Sequence, residues 1–165
     1  MLSVARAVAA KDLRIEWRSR TIIGQVVPFA AIMLVMFAFA LDNGGVVLGP
    51  RGIRSTVPTW VAPGLLWLAT LLSALIVVQR SYSVETADGA LDALRVAGVD
   101  LGGVFLGKAA ALAVQLLALE AIILVGDIVL FDTRIDPDGV VLLVTAALAA
   151  TVGLAAIGTL YGGLT

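Results

Sequence analysis

The sequence predicts an all-α, polytopic integral membrane protein, with four transmembrane helices, an N-terminal interfacial helix and a cytoplasmic coupling helix. First, the 165 residues are 61% hydrophobic and only 14% charged, whereas about a quarter of the residues in soluble domains are charged. Second, the apolar residues form four runs long enough to cross a bilayer. Third, a single long polar segment, residues 80–108, lies between apolar runs. We therefore expect one membrane domain covering residues 1–165.

The four predicted spans follow from the lengths of the apolar runs. The first, residues 21–41, has no charged residue, and a helix of about 20 residues crosses a hydrocarbon core about 30 Å thick. Pro28 is expected to kink it, and Pro63-Gly64 to bend the second. The remaining spans are predicted at about 56–79, 109–131 and 140–164. Residues 42–58, rich in Gly and Pro, are expected to form a loop, and 132–138 a turn.

Residues 1–20 are expected to form the interfacial helix. On a helical projection Lys11, Arg14 and Arg18 share one face. The apolar side, roughly opposite, consists of Ala9, Leu13 and Trp17. Basic groups on one side and a Trp-anchored apolar surface on the other favour a helix lying in the membrane interface. The alternative is a basic N-terminus that only fixes the topology.

The distribution of basic residues predicts the orientation. Residues 1–20 hold five Lys and Arg, residues 42–58 two, residues 80–108 three and residues 132–138 one. With the N-terminus inside, eight of them face the cytoplasm and three face out. The positive-inside rule therefore places the N-terminus and residues 80–108 in the cytoplasm.

The polar segment contains a predicted amphipathic helix between Val84 and Val96. Leu91 and Leu94 lie on one side, and the other side is charged. An apolar helix face of this kind can fill a groove of a soluble partner, and a small residue allows close approach of two backbones. The predicted docking residues are Glu85, Asp88, Gly89, Leu91, Asp92 and Leu94. The alternative is a solvated loop.

Several functions are disfavoured by composition. The chain has no Cys and no His, so it lacks thiolate chemistry and the commonest general base and metal ligand. Its net charge of −1 gives no reason to expect nucleic-acid binding. Residues 102–109 resemble a phosphate-binding loop, but Ala109 replaces the hydroxyl residue that would hold Mg²⁺. We therefore expect no catalytic site, metal or cofactor on this chain, and ATP to be bound by a partner.

Two features within the spans stand out. Glu120 lies about 18 Å along the helix from Lys108 and so near mid-bilayer, where a carboxylate is costly. It is interpreted either as a substrate- or proton-facing group or as a carboxyl hydrogen-bonded inside the bundle, with Gln115, Thr145 or Thr151 as candidate partners. The pattern Gly158-x-x-x-Gly162 favours close helix packing, within the chain or between two copies in a homodimer.

Four groups of residues, taken in order, resemble a known family. They are Lys11-Asp12-Leu13 with Glu16 and Arg20; Ala62-Pro63-Gly64 with Trp67; Arg80 with Glu85 and the run from Asp88 to Leu94; and Gly107-Lys108. This order resembles CcmB, the membrane permease of the haem-exporter ABC transporter of cytochrome c maturation.

The resemblance implies a permease subunit of the bacterial plasma membrane that is not itself an enzyme. A CcmA-type ATPase would drive it, CcmC- and CcmD-type subunits would accompany it in the bilayer, and haem would pass to the chaperone CcmE. The chain departs from the family in having Ala97-Gly98-Val99-Asp100 where a Pro is usual, Leu91-Asp92 where Leu-Glu is frequent, and four spans instead of six. The alternatives are a permease of another ABC exporter and a non-transporting scaffold subunit.

Overall fold

A computed structural model describes residues 1–41, 47–49, 52–54, 61–87, 98, 100–131 and 137–162. Within these residues the chain forms five helices and one short hairpin. The helices are α1 (Leu2–Ser19), α2 (Val27–Leu41, preceded by a π-helical turn at Ile22–Val26), α3 (Ala62–Ala87), α4 (Leu101–Phe131) and α5 (Pro137–Gly162). The predicted all-α class is confirmed.

Four of the helices are long and apolar enough to cross a membrane, as predicted. These segments are Ile22–Ala40, Pro63–Tyr82, Leu101–Leu130 and Gly139–Gly162. The third is longer than a bilayer requires, because 30 residues extend about 45 Å against a hydrocarbon core of about 30 Å. Some turns of α4 must therefore project beyond the hydrocarbon.

The segment between α2 and α3 differs from the predicted loop. Strands β1 (Val47–Gly49) and β2 (Gly52–Arg54) form an antiparallel pair, with Leu48 opposite Ile53. The β-branched residues Val47 and Ile53 suit such a ladder, a signal that the Gly and Pro content of this segment obscured.

Residues 80–108 are more helical than the polar character of the segment indicated. Helix α3 continues to Ala87 and α4 already begins at Leu101. The carboxylate of Asp100 caps α4 by accepting a hydrogen bond from the Gly102 amide (3.1 Å). A hydrogen bond from the amino group of Met1 is the main reason that the pKa of Asp100 lies below its usual value.

Helix α4 is the centre of the bundle and contacts α1, α2, α3 and α5. Its buried positions recur at three- and four-residue spacing, which is the period of one helix face. The largest fully buried apolar side chains on it are Leu112, Leu116, Leu119 and Ile123. Helix α5, by contrast, exposes most of its surface and packs through a narrow strip.

That strip contains the two glycines of the small-residue pattern. A Cβ atom at Gly158 would lie 2.7 Å from Cγ2 of Val78, and one at Gly162 would clash with the ring of Tyr82. Both partners belong to α3, so this glycine pair packs within the chain. The pattern predicted close packing correctly, and the structure shows which helix is the partner.

The chain turns sharply between α1 and α2. Arg20 has φ 51°, a left-handed conformation that ends many helices but is unusual for a residue with a side chain. The carboxylate of Glu16 accepts a hydrogen bond from the Ile22 amide across this turn (2.6 Å). The π-helical turn then ends at Val26, two residues before Pro28, which cannot donate a backbone hydrogen bond. The irregularity expected at Pro28 is therefore a wider helical turn before it.

Candidate functional site

The structure joins four helices through a small group of buried polar contacts, which we call the Lys108 junction: Asp12, Tyr82, Lys108 and Thr159. Only 3% of the Lys108 side chain is exposed. Its ammonium lies 3.4 Å from Oδ2 of Asp12 and 4.6 Å from the centre of the Tyr82 ring. A lysine this deeply buried needs such partners, because an unpaired buried charge is strongly unfavourable.

The junction continues from α3 to α5. The hydroxyl of Tyr82 donates a hydrogen bond to the carbonyl of Thr159 (2.8 Å), and Tyr82 is only 5% exposed. Asp12 is on α1 and Lys108 on α4, so all four helices around the junction are connected by side chains. The junction lies near the predicted docking segment, because Tyr82 and Lys108 are on the two helices that flank residues 88–100.

Helix α1 reaches the junction by packing on the projecting turns of α4. A Cβ atom at Gly107 would lie 2.6 Å from the Ala5 carbonyl oxygen and 2.7 Å from Cβ of Val8. Only glycine permits this approach. The contact face of α1 is therefore the side with Val4, Ala5, Val8 and Asp12. Trp17 lies outside this face and is 86% exposed.

A cavity with several polar lining residues, which we call the polar cavity, has a volume of about 90 Å³ and lies beside the junction, between α1, the π-helical turn before α2, the end of α3 and Gln115 of α4. Charged side chains of both signs line it: Lys11, Asp12, Glu16 and Arg80. Lys11 makes a further ion pair with Asp12 (3.2 Å), and Arg80 donates a hydrogen bond to Gln25 (3.1 Å). Because acidic and basic groups balance here, the cavity has no marked preference for an anion or a cation.

Residues 102–109, the near match to a phosphate-binding loop, lie within α4. A phosphate-binding loop needs irregular backbone that turns several amides toward one anion, whereas these amides belong to a helix. Lys108 points into the junction. The geometry agrees with the sequence argument against a nucleotide site at this position.

Glu120 is buried on α4, as predicted for an intramembrane polar residue. It is 7% exposed, and the hydroxyl of Thr151 on α5 donates a hydrogen bond to its Oε1 (2.8 Å). Of the three candidate partners, Thr151 is the correct one. Thr145 instead donates to carbonyls of its own helix, and Gln115 lines the polar cavity.

The second carboxylate oxygen of Glu120 has no hydrogen-bond partner in the described residues. Glu120 lines a cavity of about 190 Å³ between α3, α4 and α5. The other lining residues are apolar: Leu66, Trp67, Leu117, Ala121, Leu124, Leu143, Val144, Ala147 and Leu148. This volume is below the roughly 300–1,000 Å³ of typical ligand sites.

The predicted docking residues fall mostly outside the described part of the chain. Glu85 lies in the last turns of α3, whereas Asp88, Gly89, Leu91, Asp92 and Leu94 lie outside the described residues. Sequence reasoning did not identify Asp12, Tyr82 and Lys108 as a site. Two of these three, Asp12 and Lys108, were nevertheless among the residues that carried the family resemblance.

Four membrane-length helices, three of which meet α1 at a buried charged junction, define a multi-pass helical membrane protein. The chain belongs to the CcmB family: the family model described as CcmB protein matches residues 3–165. This confirms the resemblance seen in the sequence. No solved structure matches the chain.

Similar curated proteins are named heme exporter protein B. The protein of Paracoccus denitrificans is 32% identical over 106 residues, which are 64% of this chain and 44% of that protein. The protein of Rhodobacter capsulatus is 30% identical over the same shares of the two chains. That of Escherichia coli K12 is 27% identical over 97 residues, 59% of this chain and 40% of its own length. The chain thus matches less than half the length of these relatives.

Proposed function

We propose that the chain is a permease subunit of an ABC transporter that acts in haem export and delivery for cytochrome c biogenesis. The observation that carries this proposal is the family match over residues 3–165, supported by relatives named heme exporter protein B. A CcmA-type ATPase would supply the energy, and CcmC-type, CcmD-type and CcmE-type proteins would complete the pathway. The membrane would be the bacterial plasma membrane, with the N-terminus in the cytoplasm.

The Lys108 junction supports a path by which movement driven by the ATPase would reach the membrane helices. The proposed ATPase-docking segment lies between the end of α3 and the start of α4, and the junction holds both helices near those ends. Tyr82 lies five residues before the end of α3 at Ala87, and Lys108 seven residues after the start of α4 at Leu101. Movement of the docking segment would therefore reach α1 through Asp12 and α5 through Thr159. Buried, paired contacts transmit displacement better than solvated ones because interiors are close-packed.

Glu120 is assigned a structural role within this proposal. Its hydrogen bond from Thr151 joins α4 to α5 at a depth where water is scarce. A neutral carboxyl satisfies this contact at lower cost than a carboxylate. The uncharged glutamine side chain should replace it, which distinguishes this role from one in proton transfer.

The test is complementation in a bacterium that lacks its own CcmB-type permease. The chain, expressed with its neighbouring cytochrome c maturation proteins, should restore covalently haem-bound cytochrome c and should co-purify with the ATPase. Co-purification without restored cytochrome c would favour a permease for another substrate. Failure of the ATPase to co-purify would favour a scaffold and would refute the proposal.

A further inference from the structure

We propose that the exposed basic face of α1 binds the headgroup of an anionic phospholipid. This face forms a groove of about 280 Å³, lined by Ala7, Ala10, Lys11, Arg14, Ile15 and Arg18. The inference does not depend on what the protein transports.

The groove faces away from the helix bundle. Asp12 contacts Lys108 of α4, and Arg14 follows two residues later, about 200° round the helix. Arg18 lies one further turn along on the same side. Both arginines are exposed, so packing against α4 leaves the groove open.

Within the described residues, no ion pair neutralises the two arginines of the groove. Of the two acidic residues of α1, Asp12 pairs with Lys11 and Lys108, and Glu16 accepts a hydrogen bond from the Ile22 amide. Among the described residues, neither Arg14 nor Arg18 has an ion-pair partner. Two guanidinium groups one turn apart, with Lys11 beside them, suit a phosphate, which guanidinium binds through paired hydrogen bonds.

Apolar side chains next to the groove identify the anion as an amphiphile. Ile15 is 44% exposed and Trp17 is 86% exposed, one on each side of the arginines on the helical projection. A Trp beside basic residues is typical of helices at the headgroup level. The small Ala7 and Ala10 form a floor that leaves room for the headgroup. A soluble polyanion would gain nothing from Ile15 and Trp17, whereas a lipid places its upper acyl segments against them.

The experiment uses the full chain, purified in a neutral detergent and titrated with phosphatidylglycerol or with phosphatidylcholine of the same acyl chains. Native mass spectrometry counts the bound lipids. We expect preferential binding of phosphatidylglycerol. The variant Arg14→Gln/Arg18→Gln should bind it at least tenfold more weakly, since each basic residue near a lipid surface contributes roughly fivefold, or about 1 kcal/mol. The variant Arg14→Lys/Arg18→Lys should retain most of the binding.

The matched control is Arg6→Gln/Arg20→Gln, which removes the same charge from positions outside the groove and should change binding less than about threefold. An equal loss in this control would show a response to net charge alone and would overturn the site. Unchanged binding by Arg14→Gln/Arg18→Gln would do the same. Competition by glycerol 3-phosphate as effective as that of the lipid would identify a free phosphate site and refute the lipid assignment.

Discussion

Asp12 and Lys108 are 96 positions apart in the chain and form an ion pair at 3.4 Å, in a place where the lysine side chain is 3% exposed. The pair holds the N-terminal helix to the projecting end of α4. Lys108 also faces the ring of Tyr82. Removing the charge of either Asp12 or Lys108 therefore leaves the other residue without this ion-pair partner.

Replacement of Asp12 by Asn should destabilise the protein by about 3–5 kcal/mol, because it leaves the buried Lys108 ammonium without its carboxylate. Lys108→Met should cost less, because Asp12 keeps its ion pair with Lys11. The double variant should lose less stability than the sum of the two single variants, by about 0.5–3 kcal/mol. Thermal unfolding in a mild detergent measures all three.

Lys11→Met is the control for this cycle. Its side chain is 48% exposed, and an exposed ion pair contributes at most about 1 kcal/mol. If the effects of Asp12→Asn and Lys108→Met were additive, the two residues would not interact in the folded protein.

The ion pair between Asp12 and Lys108 could not be predicted from the sequence. The spans were predictable because uncharged runs of about 20 residues have few alternatives to crossing a bilayer. Hydropathy marks the hydrocarbon, however, and not the ends of the helices, so the extensions to Ala87 in α3 and from Leu101 in α4 were missed. The packing face of α1 was not predicted either, because the residue that sets it is the charged Asp12, whose partner Lys108 is far along the chain.

Thr151 illustrates a prediction that worked. Glu120 needed a polar partner at its own depth, and few polar residues in the next span were available. Antiparallel helices joined by a short turn place equal depths opposite each other, which left Thr145 and Thr151. A hydroxyl on the lipid-facing side of a helix can bond its own backbone, as Thr145 does. The choice between Thr145 and Thr151 therefore required knowing how α5 is rotated about its axis, which the structure shows.

Gly158→Ala and Gly162→Ala should each destabilise the bundle. Val78 and Tyr82 lie where the new methyl groups would go, and overpacking of this kind costs about 1–3 kcal/mol. Gly153→Ala is the matched control on the same helix, since no atom lies within 4 Å of its added Cβ. It should be neutral or stabilise by up to about 1 kcal/mol through helix propensity. Equal unfolding midpoints for the three variants would contradict the α3–α5 contact.

Glu120→Gln should fold and accumulate in the membrane normally, because the amide oxygen can accept the hydrogen bond from Thr151. Glu120→Lys should not, since it places a new charge near mid-bilayer at a cost of about 2.5 kcal/mol or more. Membrane content is measured by immunoblotting, with Gln115→Lys as a comparison beside the polar cavity. Normal accumulation of the Glu120→Lys variant would show that the residue is not at the depth described.

Arg51 and Asp92 should lie on opposite sides of the membrane, because the basic residues divide eight to three between the two sides. Single cysteines at these positions are suitable probes, as the chain has no Cys. An impermeant maleimide added to intact spheroplasts should label position 51 and not position 92, and lysis should make position 92 reactive. Equal labelling at both positions before lysis would refute the orientation.

Truncation of Leu91 and Leu94 to Ala should detach the ATPase. These side chains form the apolar side of the predicted docking helix, and central anchors of an interface typically contribute about 1–3 kcal/mol each. The acidic residues Glu85, Asp88 and Asp92 would set the orientation of docking more than its strength. The double variant should still insert, because no span is altered, but should lose the ATPase in a detergent pull-down and lose cytochrome c assembly.

A matched control is the variant Leu71→Ala/Leu75→Ala. Both leucines are exposed on the outer surface of α3 and lie outside the predicted docking segment. This pair should leave ATPase binding unchanged. Lys108→Met separates binding from coupling: the ATPase should still bind, because the docking face is intact, whereas cytochrome c assembly should fall if the junction transmits movement. Full co-purification of the ATPase with Leu91→Ala/Leu94→Ala would place the docking site elsewhere, since a groove cannot retain a helix that has lost both of its anchors.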